Sequence, residues 1–185
     1  MTTYRINQSK LAALTSAVDQ SGRDLDREVA AAVNATATKT ASLVNKSVRT
    51  ELSVTAKSVK RGIQKGRRAT AAYPNTSVSL HPSRRLPLKD FKPRQTRKGV
   101  SYKISKRGKR TTLPSGFISG HLGDHVFVRV GKPRLPIRKP MGPSPWGVFV
   151  KQDMAPAVQM QSEQELDKQL DRRIKFNLLK ASGEI

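Results

Sequence analysis

Apolar residues recur at intervals of three and four along the first third of the chain. Leu11, Leu14 and Val18 form a short stripe that ends near Ser21-Gly22. Leu25, Val29, Val33, Ala37, Ala41, Val44, Val48 and Leu52 form a longer one, predicting a helix from about Arg23 to Leu52. Asp24, Asp26 and Glu28 fall in its first turns, where the helix dipole favours anions. Its apolar face is made of Ala and Val, which suits close packing against another helix or a sheet. Residues 53–67 read as a second, irregular helix, with Ser53 or Thr55 as the cap. Val59 and Ile63 face one way and Lys57, Lys60, Arg61 and Lys65 the other, while Gly62 and Gly66 weaken the helix.

From Arg68 the period shortens to two. Ala69, Ala71 and Tyr73 alternate, then Val78 and Leu80, with Pro74-Asn75 as a turn between them. Gly99–Ile104 alternates again, and a turn at 106–109 leads to a return strand over Arg110–Leu113. Strands follow at 117–118 and 125–130. Five prolines between 131 and 147 predict an extended connection poor in ladder hydrogen bonds. Leu166, Leu170, Ile174 and Leu178 then mark a last helix over about 154–180. The order predicts an α+β fold and a single domain: a helical part (1–67), a basic β-region with extended loops (68–152) and a C-terminal helix (153–185).

Charge sharpens this picture. The chain carries a formal net charge of +23, and residues 53–152 hold 24 Lys and Arg against two acids, Asp90 and Asp124. A single-sign field of this size calls for a polyanionic partner, and nucleic acid is the commonest. Lys89, Lys92, Arg94, Arg97 and Lys98 lie in a proline-punctuated stretch, and Lys106, Arg107, Lys109 and Arg110 crowd one hairpin tip. They read either as contacts to a phosphate backbone or as a solvated basic surface. Few aromatics are interleaved, only Phe91 and Tyr102, so phosphate positioning is expected rather than base readout. At 36% hydrophobic and 5% aromatic, the core should be modest. The stretch 81–99, with prolines at 82, 87 and 93, is expected to order only on docking to a partner.

No paired carboxylates, nucleophile elbow or phosphate loop is present, so an enzyme is not expected, nor a cofactor or a small-molecule substrate. With no cysteine there is neither a disulfide framework nor a thiolate metal site. His121 and His125 flank Asp124, but Gly120, Gly123 and the following strand make this a tight turn rather than a metal site. The N-terminus lacks the apolar region of a secretory signal, and no apolar run approaches the roughly 20 residues of a membrane span. Trp146, the sole tryptophan, follows the proline arm and reads as a core plug or as an anchor for a partner subunit.

Several stretches together resemble a known family. They are Leu113-Pro114-Ser115-Gly116-Phe117-Ile118, His125-Val126-Phe127-Val128-Arg129, Leu135-Pro136-Ile137 and Gly142-Pro143-Ser144, supported by Leu86–Phe91 and Gly99–Lys103. In this combination the chain, over roughly 28–180, resembles the lambda-type minor tail protein Z family of tailed phages and prophages. The resemblance implies a virion component at the head-proximal end, or neck, of the tail, made in the host cytoplasm. It implies a role in tail completion, head–tail joining and DNA passage. It also implies a homo-oligomeric ring, hexameric, touching the tail terminator, other tail or neck proteins and, without base specificity, phage DNA. Phe117, Ile118, Leu135, Pro136, Ile137, Gly142, Pro143, Ser144 and Trp146 are then candidate subunit contacts. The alternative is a standalone nucleic-acid-binding protein without sequence specificity.

Overall fold

A computed structural model describes residues 7–21 and 24–183. The chain is α+β, with helices α1 (Gln8–Ser21), α2 (Leu25–Glu51), α3 (Ala56–Lys60), α4 (Pro145–Lys151) and α5 (Ala155–Ala181). Its strands are β1 (Ile63–Lys65), β2 (Val78–Leu80), β3 (Arg94–Thr96), β4 (Gly99–Tyr102), β5 (Thr111–Leu113), β6 (Gly116–Ser119), β7 (His125–Arg129) and β8 (Ile137–Arg138). They form a β1–β2 pair and two three-stranded sheets, β3–β4–β5 and β6–β7–β8. The expected break at Gly22 and start at Arg23 fall outside the described residues. The chain divides into two compact units: residues 1–44, 63–79 and 154–185 form one, and residues 45–62 and 80–153 the other.

The first unit is helical. Leu14 and Val18 of α1 meet Leu166 and Leu170 of α5, with Val29, Ala30, Ala32 and Val33 of α2 completing the cluster. Each fully buried Leu or Val here contributes about 1.5–3 kcal/mol. At the edge Lys10 reaches Asp171 at 2.8 Å, a partly exposed pair that adds little to stability. The small-residue face of α2 does what its composition predicts. Thr40 and Ser162 hydroxyls meet at 2.9 Å, both without solvent exposure, and this approach is open only to small side chains. Further along, Ala37 and Ala41 pack on Val78 and Ile63 of the β1–β2 pair. The Asn34 amide holds both backbone groups of Ala69, donating to its carbonyl at 2.9 Å and accepting from its N–H at 3.0 Å.

That clamp explains why 69–73 is not a strand. Its first residue is bound to α2, and Thr70 and Tyr73 then exchange backbone hydrogen bonds of 3.0 and 3.1 Å across a turn. The helix expected over 53–67 is also shorter. Thr55 caps it by accepting from the Ser58 N–H, but it stops at Lys60, and Ile63–Lys65 extend into β1. Gly62 ends it: its carbonyl accepts from His81 N–H at 2.9 Å.

The second unit holds both three-stranded sheets, whose strands pair antiparallel. Its buried apolar residues include Val48, Leu52, Val54, Val59, Leu86, Leu88, Phe91, Val100 and Val126. One side chain ties the sheets together. Gln95 on β3 donates to the carbonyls of Gly99 (3.4 Å) and Gly116 (3.5 Å), and its carbonyl accepts from Ile118 N–H on β6 at 3.0 Å. The stretch 81–99 is built into this unit through Leu86, Leu88 and Phe91 and contributes β3. The proline arm also differs from expectation. Ile137 and Arg138 pair with β7, and Ser144 starts α4 by accepting from the Gly147 N–H at 3.0 Å.

Candidate nucleic-acid interface

The two units divide the charge very unequally. Residues 45–62 and 80–153 carry 23 Lys and Arg against four acids, whereas the remaining segments carry 13 against nine. The basic field is therefore a property of the second unit. Two hairpin connections present its candidate cations. The first joins β3 to β4, with Arg94 on the strand and Arg97 and Lys98 in the turn, all exposed. Its closing Gly99 has φ +127°, and a Cβ there would sit 2.1 Å from the Leu113 carbonyl oxygen, so only glycine fits.

The second connection, 103–110, joins β4 to β5. It is fastened to the end of α2, with Ser53 N–H donating to Ile104 O at 2.7 Å and Lys106 N–H to Glu51 O at 2.8 Å. Its cations do not share one role. Arg110 donates from Nε to Ser101 Oγ and from Nη2 to the carbonyls of Ser101 and Lys92, each at 2.8 Å. It braces the sheet against the turn at Lys92, which adopts the left-handed conformation. Lys89 points Nζ at Gly123 O, 3.4 Å away. Among the described residues, the side chains of Lys92, Arg94, Arg97, Lys98, Lys106, Arg107 and Lys109 meet no acceptor and no acid. Of nine predicted contact residues, seven are thus available to a ligand and two are engaged by the fold.

The β7–β8 arm adds cations that the sequence reading passed over. Lys132 and Arg134 are exposed, Arg129 lies 5.1 Å over the Phe117 ring, and Lys139 Nζ is 3.1 Å from His125 Nε2. His125 is held below its ordinary pKa, first by desolvation and then by Lys139, Lys89 and Arg61, with Asp90 opposing. The signal for this arm was Lys132, Arg134, Arg138 and Lys139 within eight residues, masked by the prolines among them.

The residues expected at a subunit interface also separate. Gly142 lies against the Phe91 ring, and its N–H donates to Leu86 O at 2.7 Å. The Pro143 carbonyl accepts from Leu86, Ser144 caps α4, and Ile137 pairs with Arg129. These four serve the unit's own packing. Phe117 and Ile118 are half-buried, the former 6.0 Å from the Phe127 ring. Leu135 and Pro136, joined by a cis peptide, are exposed at the end of the arm. Trp146 is 43% exposed at the start of α4, with Val150 one turn on at 55%, so it is not a core plug.

Among the described residues, no group of three or more His, Asp or Glu could hold a metal ion. None of the described helices is long and apolar enough to cross a membrane. What the second unit does present is cationic hairpins and a cationic arm that exposes Leu135 and Pro136, chemistry for contact with other macromolecules. Comparison with known families defines the class: this is a structural protein of a phage tail. Residues 12–181 match the family described as prophage minor tail protein Z (GPZ), nearly the whole chain, and the protein belongs to that family. No curated protein and no solved structure matches the chain.

Proposed function

We propose that the protein completes the tail at its head-proximal end and lines the passage through which DNA moves, as one of a ring of identical subunits. One observation carries this reading: the second unit concentrates 23 cations against four acids and leaves seven of them unpaired on two hairpins and the turn before them. A free surface of this kind is self-repelling, because like charges within a Debye length of about 8–10 Å oppose one another. Phosphate spaced along a duplex relieves that repulsion without any base being read. The exposed Leu135, Trp146 and Val150 supply an apolar surface of the kind that neighbouring subunits or tail proteins cover.

The test replaces Lys106, Arg107 and Lys109 with Ser and leaves the bracing Arg110 in place. Tails of normal length are expected, with fewer joined to heads or with DNA delivery impaired. DNA affinity of the assembled protein should weaken with salt at a slope of about −0.9 per phosphate neutralised, and more shallowly in the variant. Unchanged phage yield would show that the hairpin is a solvated surface. Short tails would point instead to a protein contact. Tight DNA binding by the isolated wild-type chain would favour a standalone nucleic-acid-binding protein.

A further inference from the structure

The first unit, nearly balanced in charge, contains a second site of different chemistry. A cleft of about 570 Å³ opens between α2, the end of β1 and α5. α2 lines it with Ala31, Ala35 and Ala37, small side chains that leave the space open, together with Asn34 and Thr38. Lys65, Arg68 and Arg173 line it as well, along with Thr76. Arg173 is paired with Glu28, but its Nε is shielded from solvent and meets no acceptor among the described residues. Lys65 has only the Thr38 hydroxyl, at 3.3 Å. Among the described residues, no acid pairs with Lys65 or Arg68. The walls are fixed before any ligand arrives, because the Asn34 clamp on Ala69 holds the 66–69 segment to α2.

We propose that this cleft receives an acidic peptide segment of a partner protein. A carboxylate would sit among Lys65, Arg68 and Arg173, and the carbon stem of its side chain against the alanines. Shape and polarity decide against DNA here. A duplex is too broad to enter a cleft of this volume, and the alanines offer nothing to a phosphodiester but fit a carbon stem. A glutamate has both parts the site asks for, an apolar stem and a charged head that accepts several hydrogen bonds. The site is independent of the basic hairpins and stands whether or not those contact DNA.

The experiment follows backbone amides of the full chain by NMR during titration with an amidated six-residue peptide alternating glutamate and leucine, at physiological salt. Saturable shifts are expected at Gly66, Ala69 and Thr76. The Lys65→Gln/Arg68→Gln variant should weaken them by at least about tenfold, the loss expected for charge-assisted hydrogen bonds. Both side chains are exposed, so the variant should keep its other amide shifts. The Lys106→Ser/Arg107→Ser variant should leave the cleft response unchanged. Three results would overturn the proposal: no cleft shifts at millimolar peptide, cleft shifts unaffected by the Lys65/Arg68 variant, or tighter saturation of the same amides by a short DNA duplex.

Discussion

Replacing Gly142 with Ala tests whether the Gly142-Pro143-Ser144 run serves this chain's own fold. A Cβ at 142 would lie 2.5 Å from one Phe91 ring carbon and 2.9 Å from the next. Carbon atoms pack at about 3.5–4.0 Å, so the overlap is on the order of 1 Å. Phe91 has no solvent exposure and so no open direction in which to retreat. Nor can the backbone slide easily, because Gly142 N–H is bonded to Leu86 O and its carbonyl accepts from Arg85 Nε at 3.2 Å. Gly142 is not among the positive-φ glycines, so alanine adds no dihedral strain and the penalty is steric. Overpacking of this kind costs about 1–3 kcal/mol. For a unit of this size, about 2 kcal/mol lowers the melting temperature by about 8–16 °C. Trp146, the only tryptophan, sits in the same unit and reports the transition by fluorescence. Adding Phe91→Leu should return part of the loss, giving a double variant less destabilised than the sum of the singles. A Gly142→Ala chain that melts with the wild type while failing to assemble would refute this reasoning and restore an interface role for the run.

Leu170→Asp should abolish soluble protein, because Leu170 is fully buried between α5 and α1 and an unpaired carboxylate there costs several kcal/mol; expression and solubility assays check it. Ser144→Ala should remove the cap of α4 and cost about 1 kcal/mol, read from denaturant unfolding followed at Trp146. His125 has a depressed folded pKa, so between that value and the ordinary one near 6.5 the unfolded state binds more protons. Stability should therefore be fully present above about pH 6.5 and decline as pH falls through the folded pKa. His125→Gln should flatten this decline in melting temperature.

The long elements were legible because burial repeats along them. The stripe of α5 predicted its span to within a residue or so, but not that Leu166 and Leu170 would meet α1. The thin Ala/Val face of α2 foretold close contact, though not that Thr40 and Ser162 would make it. Short elements escaped because their determinants are distant in sequence. β1 is three residues long and exists through pairing with β2, while Ala69 is taken out of any strand by Asn34, 35 positions away. α4 had a readable start, Ser144 then Pro145, but five prolines in the surrounding arm argued for an extended chain. At the candidate interface the residue types were visible and their availability was not. That Arg110 braces a sheet and Gly142 seats a ring depends on partners that no local pattern reveals.

The core of the first unit joins α1 to α5, helices far apart in sequence, and this sets a schedule for its synthesis. Leu14 and Val18 leave the ribosome well before Leu166 and Leu170. At about 5–20 residues per second, the apolar stripe of α1 waits on the order of ten seconds for its cover. The nascent chain must be kept from aggregating over that interval. A product terminated before Ala155 can never close this core. Its exposed stripe leaves it open to proteases, which act on the unfolded population. Only chains read through α5 then persist long enough to enter a tail.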